Sequence, residues 1–283
     1  MGRCAVVAVA SSAAACSVLV DSSREQCATD GDCQKRGGAF TRALCRKSVC
    51  ITDPKWGCVG SVVWPTPVVS ADKVTARFYL SNLRSGDAIV GATARVCGKL
   101  DPKCDMPAQS DLRSDNTGML AVQLSKYFDG YLEMKYQGMV DTMYFFNPPV
   151  DGDRDIPFLP LVPLNALTDF GDQLKMAPLY DRGTVIGLSY DCQSNGAEGI
   201  QLLSDEGDEH TTSFYMADGF PSLEATQTDT SGQGGIANVP VGPRRISARL
   251  AKTGELIGTA SVQSRAIWIT YTSILPSPLS SPQ

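Results

Sequence analysis

Histidine is almost missing from this chain. Among 283 residues there is one, His210. Imidazole-based acid–base chemistry and histidine-rich metal sites are therefore confined to a single position. A basic excess is missing too: 25 Lys and Arg stand against 30 Asp and Glu, for a net charge of -5. Nucleic-acid binding needs clustered cations to displace counterions, so no nucleic-acid partner is expected. After the first residues no apolar run reaches the length that spans a bilayer as a helix. Catalytic phrases are lacking as well. There is no phosphate loop, no HExxH and no Ser-x-x-Lys, and Gly187-Leu-Ser189-Tyr-Asp191 lacks the second glycine of a nucleophile elbow. Gly232-Gln-Gly-Gly235 precedes a strand pattern rather than a helix, so it is no dinucleotide loop. No catalytic residue, metal ligand set or cofactor is assigned.

What is present is a folded, turn-rich composition. Hydrophobic residues make 43% and charged residues 19%, with 26 Gly and 17 Pro. Frequent turn residues and scarce amphipathic helices favour an all-β fold. One phrase occurs twice. Ser114-Asp115-Asn116-Thr117-Gly118 runs into Met119-Leu120, and Thr228-Asp229-Thr230-Ser231-Gly232 runs into Ile236-Ala237-Asn238-Val239. An Asp that bonds the backbone two residues on, with Gly three residues later, suits a tight turn ending in a left-handed residue. Such a turn is expected to join antiparallel strands. Each copy lies in a β-patterned segment, which predicts two copies of one sandwich.

The N-terminus reads as an address. Met1-Gly-Arg3 is charged, Cys4 to Ala10 is apolar, and Ser11 to Ala15 are small residues before Cys16. This resembles a bacterial lipoprotein signal peptide, although Ala13 stands where Leu is usual. The resemblance implies lipidation at Cys16 and a membrane partner through that anchor. An ordinary secretory signal cleaved near Ala15 is the alternative. Setting aside Cys4 and Cys16, eight Cys remain: Cys27, Cys33, Cys45, Cys50, Cys58, Cys97, Cys104 and Cys192. The stretches Cys27–Cys33 and Cys45–Cys50 are too poor in apolar residues for a core of their own, so disulfides are expected to staple them. Zinc usually wants closer Cys pairs than these spacings provide. Eight Cys allow many pairings. Crossed Cys27–Cys45 and Cys33–Cys50 would make a compact knot. Cys97–Cys104 is the simplest local pair, and parity would then leave Cys58 for Cys192.

Strand signals follow in order. Val74, Ala76, Phe78 and Leu80 alternate with Thr75, Arg77 and Tyr79. Further strands are expected over 88–96, 119–124, 131–136 and 142–146. Asp151-Gly-Asp-Arg-Asp155 opens like a calcium loop, but Ile156 and Val162 hold the positions that need Gly and Glu, so a solvated linker is favoured. Leu164, Leu167, Phe170 and Leu174 fit one face of a short helix, with Pro163 at its start. In the second segment, strands are expected over 183–190, 211–216, 236–239 and 244–250, with a final hairpin or one long strand over 256–274. Gly196 to Leu203 echoes the second strand of the first segment.

Ile89-Val-Gly91-Ala-Thr-Ala-Arg-Val96, Asp115-Asn-Thr-Gly118 and Phe128-Asp-Gly-Tyr-Leu132 together resemble the carboxypeptidase regulatory-like domain. That resemblance implies a seven-stranded, transthyretin-like sandwich without catalytic groups of its own. The layout from lipobox through Cys-rich segment resembles exported lipoproteins of the myxobacterial type. The expected organisation is a signal peptide at 1–15, a tether and Cys-rich segment at 16–58, and two tandem antiparallel β-sandwiches at 59–150 and 181–275. A helical linker at 151–180 separates them, and 276–283 is a flexible tail.

These readings converge on a non-enzymatic, lipid-anchored binding or scaffold protein of the cell envelope, outer-membrane in location. Its partner is expected to be an envelope protein or a carbohydrate. The alternatives are an accessory subunit of an envelope complex and a hydrolase built on paired carboxylates, whose acids would face each other in a cleft. Sandwiches recognise ligands through loops held by rigid sheets. The candidate binding residues are therefore Asp101 and Lys103 in one loop, and Asp205, Glu206, Asp208 and His210 in an acidic turn.

Overall fold

A computed structural model describes residues 25–37, 40, 42–173 and 179–278. The signal peptide, Cys16 and most of the tether lie outside the described residues. The chain divides into two compact units, Met1–Asp53 and Pro54–Gln283.

The first unit is small and held by sulfur. Helix α1 (Asp30–Gln34) is followed by strands β1 (Ala43–Arg46) and β2 (Val49–Thr52). The Asp32 carboxylate accepts the backbone N–H groups of Ala28 and Thr29 at 3.0 and 2.8 Å and so opens the helix. These bonds hold its carboxyl below the usual Asp range. The hairpin turn is Lys47-Ser48, both with positive φ, which matches the twist of the flanking strands. Cys27 is bonded to Cys45 and Cys33 to Cys50. These crosslinked cysteines and Ala43 make up the apolar centre.

Among its described residues the second unit contains fifteen strands in three sheets. Its first half holds β3 (Lys73–Asn82), β4 (Thr93–Gly98), β5 (Gln109–Arg113), β6 (Met119–Ser125), β7 (Gly130–Lys135), β8 (Thr142–Phe145) and β9 (Arg154–Leu161). Helix α2 (Ala166–Gln173) follows. The second half holds β10 (Arg182–Ser189), β11 (Ile200–Ser204), β12 (Thr212–Ala217), β13 (Phe220–Ser222), β14 (Gln233–Pro240), β15 (Gly242–Leu250), β16 (Leu256–Ser264) and β17 (Ile269–Ile274).

One nine-stranded sheet, in the order β13-β12-β14-β10-β17-β8-β7-β4-β5, runs through both halves. The join is the parallel pair β17–β8, in which Tyr271 lies opposite Tyr144. Two three-stranded sheets, β6-β3-β9 and β11-β15-β16, complete the fold. Side chains alternate across a strand, and here they feed two cores. Leu132, Met134, Tyr144 and Phe146 pack with Phe78 and Leu120 in one. Tyr131, Met143 and Phe145 pack with Val185, Ile200 and Ile246 in the other. The two covering sheets thus serve opposite faces of the long sheet, each over its own half. Strands β7 and β8 are buried on both faces because they lie where the cores overlap.

Four expectations are corrected. The sheets are not purely antiparallel: β3–β9, β10–β17 and β17–β8 are parallel. In each half the first and last strands pair side by side and close the layer. The stretch 154–161, read as linker, is strand β9. It tolerates Pro157 and Pro160 because it is an edge strand. Asp153 accepts the Thr75 backbone N–H at 2.7 Å and Asp155 pairs with Arg77 at 3.2 Å, so these acids fasten β9 to β3. The tail is fixed at least to Pro278: Pro276 O accepts Trp64 Nε1–H at 3.1 Å, and the Ser277 N–H donates to Ile257 O at 2.9 Å. The remaining tail residues lie outside the described residues, as does Leu174 of the expected helix.

The fourth correction concerns the repeated phrase. In the first half it joins β5 to β6, which belong to different sheets, so it is a corner between layers and not a hairpin. The second copy lies between β13 and β14 of the long sheet, and the local bonding of the two turns is alike. Ser114 Oγ donates to Ile89 O at 2.6 Å and accepts the Ala92 N–H at 3.0 Å. Thr228 Oγ1 donates to Ala197 O at 2.6 Å and accepts the Ile200 N–H at 3.0 Å. Gly118 O accepts the Leu80 N–H, and Gly232 O accepts the Ser189 N–H, each at 2.9 Å. Asp115 and Asp229 each turn a carboxylate oxygen onto the backbone N–H two residues on, at 2.8 and 2.9 Å.

Candidate functional site

Two steps are left where a covering sheet ends. On one face a cleft of 420 Å³ opens beside β9 and α2. It is lined by Ile186, Phe214, Met216 and Tyr271 of the long sheet and by Val162 and Leu167. Its charged pair, Arg84 with Asp169, is neutralised within itself. The Tyr271 hydroxyl donates to Pro160 O at 2.9 Å, and burial pushes its pKa upward.

On the opposite face the step is filled by charge. Strand β7 presents Tyr131, Glu133 and Lys135 on one side, and register places Arg95 opposite Glu133 and Cys97 opposite Tyr131. Glu133 is 1% exposed and is held by Arg95 and by Arg265, which reaches in from the turn between β16 and β17. Arg265 also donates through Nε and Nη2 to Pro102 O, at 3.2 and 2.6 Å, and lies over the Trp268 ring at 4.6 Å. Burial raises the Tyr131 pKa to about 12, and its hydroxyl donates to Asp101 O at 2.5 Å. A buried carboxylate between two guanidinium groups is a structural tie, since removing either charge strands the rest. Sequence reasoning missed this cluster. The available signal was one acid inside the apolar run Tyr131-Leu-Glu-Met134, a position a charge occupies only when paired.

The residues expected to bind are distributed as follows. Asp101 turns back onto its own loop: its carboxylate accepts the backbone N–H groups of Asp105 and Met106 at 3.0 and 2.8 Å, which lowers its pKa. Lys103 is exposed. The acidic turn is tied down by arginines. Asp208 takes Arg182 Nη1 at 2.8 and 2.6 Å, and chiefly this bond lowers its pKa to about 2. Glu206 pairs with Arg244. Asp205 accepts Ser247 Oγ–H at 3.0 Å and stands 3.9 Å from Arg245. His210 is exposed, with Nε2 3.6 Å from Glu209.

Cys58 is bonded to Cys192 and Cys97 to Cys104. Cys58 therefore staples the second unit, not the Cys-rich segment with which it was grouped. Among the described residues two sets of sulfur and carboxylate atoms lie within metal-binding reach, Cys27–Cys33–Cys50 and Cys97–Cys104–Glu133. Their sulfurs are spent in disulfides and Glu133 on arginines.

No protein-family model matches the sequence, and no curated protein matches it. Solved structures with some likeness include the Bacillus anthracis TIE protein, at 10% identity and a TM-score of 0.27, covering 72% of this chain and 34% of that one. The major pilin subunit of Bacillus cereus gives 11% identity and a TM-score of 0.25, covering 72% and 69%. The minor pilin of Streptococcus agalactiae gives 13% and 0.22, covering 74% and 100%. Likeness at this level transfers no function.

Proposed function

We propose that this is an exported, lipid-anchored cell-envelope protein that recognises or scaffolds a partner and does not turn over a substrate. It is assembled from two tandem transthyretin-like sandwiches of the carboxypeptidase regulatory-like kind. The observation that carries this reading is the fate of the acids. Asp101, Asp205, Glu206 and Asp208 are each engaged by backbone amides, a hydroxyl or arginines. Carboxylates so held serve as struts for loops, and a hydrolytic pair needs two acids converging on a cleft. The cleft of 420 Å³ offers apolar walls and one self-neutralised ion pair. Support for tandem copies comes from the matched corners at Gly118 and Gly232 and from the parallel closing pairs β3–β9 and β10–β17. Four disulfides support export to an oxidising compartment.

Two measurements test it. Detergent-phase partitioning should be complete for the wild type and lost in Cys16→Ser; equal partitioning would remove the anchor. Purified chain lacking residues 1–16 should show no turnover on peptide, ester and glycoside panels. Turnover that survives His210→Ala and dies when one acid pair is replaced would establish a hydrolase instead.

A further inference from the structure

The loop closed by Cys97–Cys104 joins two properties that seldom coincide. Its backbone is heavily fixed. The disulfide bonds its ends, the Asp101 carboxylate caps the turn at Asp105 and Met106, Tyr131 holds Asp101 O, and Arg265 holds Pro102 O twice. Yet two large apolar side chains are left in water: Leu100 inside the ring is 97% exposed, and Met106, two residues beyond Cys104, is 82% exposed. An ordinary surface loop that presents apolar groups can fold them back, whereas this one is prevented from doing so by its own struts.

We propose that this loop is a rigid docking tip, and that Leu100 and Met106 enter an apolar pocket on a protein partner. The proposal rests on the recognition reading above and sharpens it. The contact residues become Leu100 and Met106, with Asp101 a positioning residue for the turn. Charge selects the kind of partner. Between Gly98 and Met106 the loop carries Lys99 and Lys103 against Asp101 and Asp105, and Lys99 is already paired with Asp129 at 3.1 Å, so the tip has no cationic excess. Attraction to an anionic lipid surface grows with each added Lys or Arg, and here the two signs cancel. A preorganised tip loses little freedom on binding, which favours a shaped protein pocket.

The test uses the full chain immobilised through its C-terminus and probed with detergent-solubilised envelope proteins. Phospholipid vesicles, neutral and anionic, form a separate arm. The wild type should retain a saturable protein ligand. Leu100→Asp and Met106→Asp should each weaken retention at least about tenfold, the effect expected for losing one buried apolar anchor. Val69→Asp, at another fully exposed apolar position, should change nothing. The pair Cys97→Ser with Cys104→Ser keeps both apolar groups and frees the loop, and should also weaken retention. Unfolding curves for the two Asp variants should overlay the wild type. Saturable binding unchanged in the Leu100→Asp, Met106→Asp double variant overturns the tip and leaves the recognition reading standing. Binding to vesicles that the double variant abolishes assigns the tip to lipid and overturns the protein pocket. No saturable binding in either arm overturns the tip, and turnover on the substrate panels would overturn the recognition reading with it.

Discussion

Four glycines test the duplicated corner against its own controls. Gly118 and Gly232 adopt φ of +79° and +71°, and a methyl group on either would strike backbone. At Gly118 it would stand 2.7 Å from Leu80 O and 3.2 Å from Ile89 N. At Gly232 it would meet Ser189 O, and Ala197 N at 2.7 Å. Gly91 and Gly199 have φ of +79° and +82°, with open space where the methyl would go. All four Gly→Ala variants therefore incur the left-handed backbone cost, about 1–2 kcal/mol. Only Gly118→Ala and Gly232→Ala must also push back a strand carbonyl that accepts a hydrogen bond: Leu80 O takes the Ile89 N–H at 3.0 Å, and Ser189 O takes the Ala197 N–H at 2.9 Å. Disturbing such a buried bond adds about 1–3 kcal/mol. The expected losses are about 1–2 kcal/mol at Gly91 and Gly199, and about 2–5 kcal/mol at Gly118 and Gly232. At roughly 2–4 °C per kcal/mol for a unit of this size, the two classes separate clearly in thermal unfolding. Urea unfolding of the four variants gives the same comparison at constant temperature. If Gly118→Ala matches Gly91→Ala within about 0.5 kcal/mol, a margin typical of neutral surface changes, the corner is not packed as described.

Chain-entropy reasoning ranks two disulfides of the second unit. Cys58–Cys192 closes 134 residues and should contribute about 5 kcal/mol, against about 2 kcal/mol for Cys97–Cys104, which closes 7; Cys→Ser pairs in denaturant titrations should keep that order. Arg265→Ala leaves the buried Glu133 with Arg95 alone and should cost about 3 kcal/mol, the low end for a broken buried pair. Loss below about 1 kcal/mol in urea unfolding would show that Glu133 is compensated elsewhere. Asp208 has a folded pKa of about 2, depressed from 3.8. Its contribution to stability is therefore complete above about pH 4 and lost as pH falls through about 2. Carboxyl carbon shifts should place the titration there, and Arg182→Gln should move it upward; a midpoint near 4 in the wild type would refute the Asp208–Arg182 bond.

The sequence carried the local chemistry well and the long-range pairing poorly. The turn was legible because its requirements are local: an Asp to bind the backbone, and a Gly for positive φ three residues on; that the first copy passes between layers was not, because a hairpin makes the same local demands. Strand β3 was legible because one face is buried and one wet, which writes an alternation. Strands β7 and β8 carry no alternation, since both of their faces are buried. Their continuous apolar pattern belongs to a strand inside a layered sheet, and it was the available sign that a further layer lay beyond them. Strand β9 was hidden by its prolines. The pairing of β17 with β8 joins residues far apart in sequence, and register between such strands has no local signature.

The shared sheet changes what the loops can do. Two sandwiches on a linker would hold their loops independently, and a contact at one would leave the other unaffected. Here Arg265, between β16 and β17, bonds Pro102 O in a loop of the first half and pairs with Glu133 on β7. The same turn lies against the start of β10, where the Thr184 N–H donates to Trp268 O at 3.0 Å and the Ile267 N–H to Arg182 O at 2.7 Å. Arg182 in turn holds Asp208 in the acidic turn. A continuous set of contacts thus runs from the Cys97–Cys104 loop through Arg265 and Arg182 to the acidic turn. Contiguity alone is not coupling. It does fix the expectation that the two loops are positioned by one framework, so Arg265→Ala should loosen both, read as faster amide exchange at Lys103 and at His210. Faster exchange at Lys103 alone would mean that each half secures its own loop.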